Sequence, residues 1–177
     1  MAGISFVLAH KGHLAGLATL PTRNYYLNLY QQFISLEKTG EMRFTPPVQV
    51  FYALKQALRE FFEEGVAARY ERYVKCWETL MQGIERLGLI PLLPANLHSK
   101  ILTAICEPKI PGFSYSDLHD YLFAKDITIY PGKGGKISNF RIANIGAIDH
   151  RDVGLFIQHL EDYLTQLEGK QHDSRNR

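Results

Sequence analysis

The chain has 177 residues, of which 46% are hydrophobic, and its 20 basic and 18 acidic residues leave a net charge of only +2. This length and composition suit a globular protein with one good hydrophobic core, or one core plus part of another. The scattered, nearly balanced charge argues against a nucleic-acid-binding surface. No segment is apolar enough to span a bilayer, and the N-terminus lacks the pattern of a signal peptide. We therefore expect a cytoplasmic protein without nucleic-acid or membrane partners.

The first 45 residues predict one strand and one helix. Residues 3–9 are almost all apolar, which is typical of a strand inside a sheet, yet little sequence precedes them to provide neighbouring strands. Residues 25–36 place aromatic and aliphatic side chains at helical spacing, and Gly40 is expected to end that helix.

Two long helices are predicted next. Pro46 and Pro47 favour an extended approach and then the first turn of a helix, and apolar residues at helical spacing continue to Phe62. Gly65 separates this helix from a second one that is expected to end at Gly88. Aromatic stripes at this spacing are usually part of a core, and we interpret them in that way.

The sequence after Gly88 predicts a small α+β unit. Short apolar runs at 89–93, 101–106, 127–133 and 140–146 indicate strands, and Ser114 with Asp117 indicates a capped helix start. A last helix follows from residue 153, and the polar residues 169–177 predict a disordered tail. Segregated in this order, the elements predict an antiparallel or mixed sheet with helices over one face, and a boundary near Gly88.

Few residues carry recognisable chemistry. The two cysteines and seven histidines have neither disulfide-framework nor metal-ligand spacing, and no nucleophile motif is present. Arg141 stands among apolar neighbours, so it either pairs with a carboxylate, which the sequence alone favours, or faces a cleft that receives an anion. Thr45 with Arg43 is a second anion-binding candidate, although a plain helix N-cap is the simpler reading of Thr45. The lysine- and glycine-rich loop 132–136 is a third candidate, although a mobile hairpin tip is the simpler reading.

Five blocks, taken together and in order, resemble the C-terminal half of the 2-aminoethylphosphonate–pyruvate transaminases, a family of fold-type I, pyridoxal-phosphate-dependent aminotransferases of class V. The resemblance covers almost the whole chain. The blocks are residues 3–9, Arg43-Phe44-Thr45-Pro46-Pro47, residues 64–69, Ile129-Tyr130-Pro131-Gly132-Lys133 and Phe140-Arg141-Ile142-Ala143-Asn144-Ile145-Gly146.

The resemblance implies roles for two residues. Arg141 matches the arginine that holds the anionic group of the substrate, because a guanidinium fork suits a carboxylate or a phosphonate. Thr45 matches a threonine that reaches the cofactor phosphate of the neighbouring subunit in a homodimer. The implied reaction moves an amino group from 2-aminoethylphosphonate to pyruvate, giving phosphonoacetaldehyde and alanine.

The same resemblance implies that important parts lie outside the chain. The Schiff-base lysine of the family would lie upstream of residue 1, and so would the acidic partner of the pyridine nitrogen, the ring-stacking aromatic and the phosphate loop. We therefore expect no catalytic residue within the chain itself. The expected organisation is a remnant of the large cofactor-binding domain at 1–45, connecting helices at 46–87, the small α+β aminotransferase domain at 88–168 and the tail.

Two functional hypotheses follow. The first is a truncated or split aminotransferase that is inactive alone and works with a complementing N-terminal half. The second is a non-catalytic pseudoenzyme remnant or assembly module that pairs with a full-length transaminase.

Overall fold

The computed structural model describes residues 3–132 and 137–175, and side chains as far as residue 169. The helices are α1 (Lys11–Gly16), followed by a 3-10 turn (Leu17–Thr19), α2 (Leu29–Thr39), α3 (Val48–Glu64), α4 (Val66–Arg86), α5 (Tyr115–Phe123) and α6 (His150–Arg175). A second 3-10 turn spans Ala95–Leu97, and the strands are β1 (Leu102–Cys106), β2 (Tyr130–Pro131) and β3 (Asn139–Ala143).

The chain divides into two compact units, Met1–Glu63 and Glu64–Arg177. The predicted divisions at 45, 87 and 168 describe the expected organisation of a whole aminotransferase and stay predictions. In the structure, α4 packs against α6 and therefore belongs to the second unit.

The first unit consists of helices and irregular backbone. The strand predicted at residues 3–9 is wrong, because their backbone is irregular, and the described residues offer this segment no strand with which to pair. Helix α2 begins at Leu29 rather than at residue 25, because Asn28 caps it: the Asn28 side chain accepts a hydrogen bond from the Gln31 N–H at 3.0 Å. Gly40 ends α2 as predicted, with a left-handed φ of 70°.

The second unit is built on a three-stranded antiparallel sheet. Its strand order is β1-β3-β2, with Ala104 opposite Arg141 and Tyr130 on the other side of Arg141. The strand predicted at 89–93 is wrong; it reduces to an isolated bridge between Pro91 and Ile105, closed by hydrogen bonds from the Leu92 N–H to the Ala104 carbonyl and from the Cys106 N–H to the Ile90 carbonyl, both at 2.9 Å.

One face of this sheet carries the core. Thr103, Ile105, Phe140 and Ile142 are buried there, and apolar residues of α4, α5 and α6 complete the cluster. The helix-side members are Cys76, Leu80, Ile84, Leu118, Leu122, Val153, Phe156, Ile157, Leu160, Tyr163 and Leu164. The predicted α+β unit, with its helices over one face of a small sheet, is confirmed.

Two other predictions differ from the structure. The aromatic stripes of α3 and the start of α4 are largely exposed rather than part of the core; Phe62, for example, is 75% exposed, and its ring neighbour is Phe61 of the same helix. Helix α6 extends to Arg175, which overturns the predicted disordered tail over 169–175, since a polar segment without proline can continue a helix already formed.

Candidate functional site

Arg141 lies on the outer face of the sheet. Burial alternates along β3, with Phe140 and Ile142 buried and Arg141 half-buried between them. Because successive side chains of a strand point to opposite faces, the Arg141 side chain projects away from the core. It is therefore not a buried charge, although its sequence neighbours are apolar.

The Arg141 side chain is held by the backbone of the neighbouring strand. Its Nε donates a hydrogen bond to the carbonyl oxygen of Pro131 at 3.0 Å. Among the described residues no carboxylate forms an ion pair with this guanidinium. The favoured reading of the sequence, an internal salt bridge, is thus not found in this part of the chain, because the outer face leaves the charge accessible to water.

Tyr115 lies close enough to Arg141 for the two to interact electrostatically. The Tyr115 hydroxyl donates to the carbonyl of Ile129 at 3.0 Å and so ties α5 to the residue that precedes β2. Burial raises the pKa of Tyr115, and the positive charge of Arg141 opposes that rise. Hydrogen bonds to the carbonyls of Ile129 and Pro131 therefore hold the segment that lies beside Arg141.

A second polar cluster secures the loop that follows β3. Arg72 on α4 donates to the carbonyls of Gly146 at 2.6 Å and Ile148 at 2.9 Å, and its Nε donates to Glu64 at 2.7 Å. Glu64 also accepts from Arg69, and these two guanidinium hydrogen bonds lower the pKa of Glu64 from 4.5 to about 2. The cluster fixes the exit of the strand that carries Arg141.

Asn144 completes this support. It is 1% exposed, and its side-chain amide donates to the carbonyls of Tyr73 at 3.2 Å and Lys100 at 3.0 Å. No sequence pattern predicts a role for Asn144, Arg72 or Glu64, although Asn144 and Glu64 lie in the blocks that carry the family resemblance. A buried amide that joins two other segments by backbone contacts leaves no periodic signal in a sequence.

Thr45 lies in the first unit, in the irregular segment before α3. Its side chain is exposed, and no hydrogen bond of its hydroxyl is found within residues 3–132 and 137–169. The helix N-cap reading does not hold, because the Pro47 carbonyl, not Thr45, accepts the first helical bond, from the Phe51 N–H at 3.1 Å. The Thr45 hydroxyl therefore stays available for an external acceptor.

Arg43 is occupied by its own unit. Its Nη1 donates to the carbonyl of Tyr25 at 2.6 Å, and its guanidinium carbon lies 4.5 Å from the centre of the Tyr25 ring and 5.0 Å from that of Phe44. These contacts shape the turn before Thr45. They explain Arg43 as a structural residue.

The remaining candidates give no site in the described chain. Lys133 and Lys136 of the predicted anion-binding loop lie outside the described residues. Within those residues no group of three or more histidine, cysteine or acidic side chains has the geometry to hold a metal ion. No described helix has the length and apolar character needed to cross a membrane.

Comparisons with known proteins confirm the resemblance stated from the sequence blocks. No protein-family model matches the chain. The chain is 34% identical over 167 residues to the 2-aminoethylphosphonate–pyruvate transaminase of Pseudomonas fluorescens, covering 94% of this chain and 45% of that relative. It is 40% identical over 148 residues to the transaminase of the same name from Aeromonas hydrophila, covering 82% of this chain and 39% of the relative. The chain thus spans less than half the length of the curated relatives it matches.

Solved structures are similar over a comparable span. Pyridoxamine–pyruvate aminotransferase from Mesorhizobium loti gives a TM-score of 0.75 at 18% identity, over 90% of this chain and 42% of that one. Alanine–glyoxylate aminotransferase from Nostoc sp. gives 0.71 at 23% identity, over 87% and 41%. At these identities the likeness concerns the fold alone, and it confirms the fold-type I aminotransferase fold for the matched part.

Proposed function

We propose that this chain, a relative of the 2-aminoethylphosphonate–pyruvate transaminases over 94% of its length, supplies the substrate-anion contact of a pyridoxal-phosphate-dependent aminotransferase. The observation that carries the proposal is the environment of Arg141. Its Nε is engaged by the Pro131 carbonyl, and no ion-pair partner for the guanidinium lies among the described residues. A held guanidinium with free terminal nitrogens can grip two oxygens of one anion.

The anions of the proposed reaction fit this group. Pyruvate and alanine carry a carboxylate, and 2-aminoethylphosphonate carries a phosphonate. One arginine can therefore bind the anionic group of both the amino donor and the amino acceptor. Arg141 would orient either substrate by its anionic end and leave the other end for the chemistry. Orientation of this kind lowers the entropic part of the barrier.

The cofactor phosphate is proposed to contact Thr45. The free hydroxyl of Thr45 is a suitable donor to a phosphate oxygen, and the resemblance assigns it to the phosphate of a neighbouring subunit, which implies a homodimer or a complementing N-terminal half. Bound pyridoxal phosphate would supply the electron-withdrawing ring that amino transfer requires.

The lysine that binds this cofactor in the family is expected within the part of the relatives that the match does not cover. We therefore propose that the matched region does not transfer amino groups without that part.

The substrate-binding half of this proposal can be tested on the full chain. We expect ¹⁵N resonances around β2 and β3 to shift when 2-aminoethylphosphonate or pyruvate is added, and we expect Arg141→Gln to abolish both responses. Arg59→Gln, which replaces an exposed arginine of α3, is the control and should change neither titration. Equal binding by the wild-type chain and Arg141→Gln would overturn the substrate-anion role.

The catalytic half needs the rest of the enzyme. The chain would be mixed with the uncovered N-terminal part of the Aeromonas hydrophila relative, together with pyridoxal phosphate, 2-aminoethylphosphonate and pyruvate. We expect alanine to form only in the mixture, together with a visible absorbance that borohydride removes as it fixes the cofactor to a lysine. Anion binding without alanine formation in any mixture would favour the non-catalytic module instead.

A further inference from the structure

Tyr130 stands directly beside Arg141 on the outer face of the sheet. The two residues are partners in the antiparallel register of β2 and β3, and paired residues of neighbouring strands project from the same face. The Arg141 Nε also reaches to Pro131, the other residue of β2, at 3.0 Å. This contact draws the guanidinium over the strand that carries Tyr130.

The Tyr130 hydroxyl has no structural task within the described residues. Its side chain is 57% exposed, and no hydrogen bond of its phenol is found in that part of the chain. Tyr115, the other phenol near Arg141, is in contrast committed as a donor to the Ile129 carbonyl. Among the described residues, Tyr130 therefore offers an O–H donor without a partner next to a guanidinium that is hydrogen-bonded only through its Nε.

A carboxylate and a phosphonate differ in how many of their oxygens remain without a hydrogen-bond donor at such a site. A guanidinium fork pairs with two oxygens. Those are all the oxygens of a carboxylate, whereas a tetrahedral phosphonate has a third oxygen that the fork does not reach. We propose, resting on the substrate-anion role of Arg141, that the Tyr130 hydroxyl donates to this third oxygen and makes the site selective for phosphonates over carboxylates.

The test compares two ligands that differ only in the anionic group, 2-aminoethylphosphonate and 3-aminopropanoate. In titrations of the full chain followed by ¹⁵N resonances, we expect Tyr130→Phe to weaken phosphonate binding roughly tenfold, as expected for one hydrogen bond to a charged group on an exposed face. Binding of 3-aminopropanoate should change by less than about twofold, because its two oxygens stay on the fork.

Two further variants separate a selective role from a structural one. Tyr115→Phe removes the hydrogen bond to the Ile129 carbonyl and should weaken the binding of both ligands equally, because it loosens the segment that holds Arg141. Tyr70→Phe, which changes an exposed tyrosine of α4, should weaken neither. If Tyr130→Phe weakened the binding of both ligands equally, or of neither, the proposed selectivity would be overturned and the role of Arg141 would remain. Failure of Arg141→Gln to affect either ligand would instead remove the proposed function.

Discussion

The two compact units are both rich in amphipathic helices, but only one of them has a buried core. All buried apolar residues of the described chain lie between Cys76 and Leu164, in the second unit. Helices α1, α2 and α3 of the first unit contain no buried residue. Helices with an apolar face thus occur in both units. That face stabilises tertiary structure only where a second element packs against it.

The contrast is sharpest between α3 and α4. Both helices carry aromatic and aliphatic residues at helical spacing, but Phe62 of α3 is 75% exposed while Leu80 and Ile84 of α4 are fully buried. The difference arises because α4 packs against α6. Hydrophobic periodicity therefore predicts which face of a helix is apolar. It does not predict whether another element packs against that face.

The largest expected effect breaks the core directly. Phe140 is fully buried on the inner face of the sheet, and Phe140→Ala should lower the free energy of unfolding by about 3–5 kcal/mol. The matched change Phe62→Ala in α3 should cost less than about 1 kcal/mol, because little burial and one ring contact with Phe61 are lost. Urea unfolding of the full chain, followed by circular dichroism, measures both. Similar losses for the two variants would contradict the unequal division of the core.

A pair of glycines sharpens the comparison within the second unit. A Cβ added at Gly83 would lie 2.5 Å from Cδ1 of Ile157, whereas one added at Gly154 of α6 would meet nothing within 4 Å. We expect Gly83→Ala to destabilise by about 1–3 kcal/mol through overpacking and Gly154→Ala to stabilise by up to about 1 kcal/mol through helix propensity. Thermal unfolding of both variants should therefore shift in opposite directions. A stabilised Gly83→Ala would show that α4 and α6 are packed less closely than described.

Local patterns predicted the elements of the second unit well. Ser114 caps α5 and accepts a hydrogen bond from the Asp117 N–H at 3.4 Å. Strand β1 falls within the predicted run 101–106, and β3 begins one residue before the predicted run 140–146. These signals depend on neighbours along the chain. The wrong strand at 3–9 depends instead on a distant pairing partner, which an apolar composition cannot reveal.

The candidate site residues came from sequence blocks and their roles stay predictions, whereas their surroundings were visible only in the structure. The position of Arg141 followed from its sequence block, whereas its orientation followed from the register that places Phe140 and Ile142 inward. Nothing in the sequence indicates that Pro131 accepts from Arg141, or that Arg72 reaches the carbonyls of Gly146 and Ile148. Such contacts join residues that only the folded sheet brings together.

The smallest effect tests the polar support of the second unit by pH. Glu64 has a pKa of about 2 in the folded chain against an ordinary 4.5, so its ionised form stabilises the fold above pH 4.5 and this contribution is lost as the pH falls toward 2. Glu64→Gln lacks this contribution at every pH. The free energy of unfolding should therefore differ most between the wild-type chain and the variant near neutral pH. This difference should become smaller as the pH falls from 4.5 to about 2. Glu71→Gln, which replaces an exposed glutamate of the same second unit, is the control for the loss of one surface carboxylate. Urea midpoints across this pH range measure the effect, and a constant difference would mean that the hydrogen bonds from Arg69 and Arg72 do not favour the charged form of Glu64.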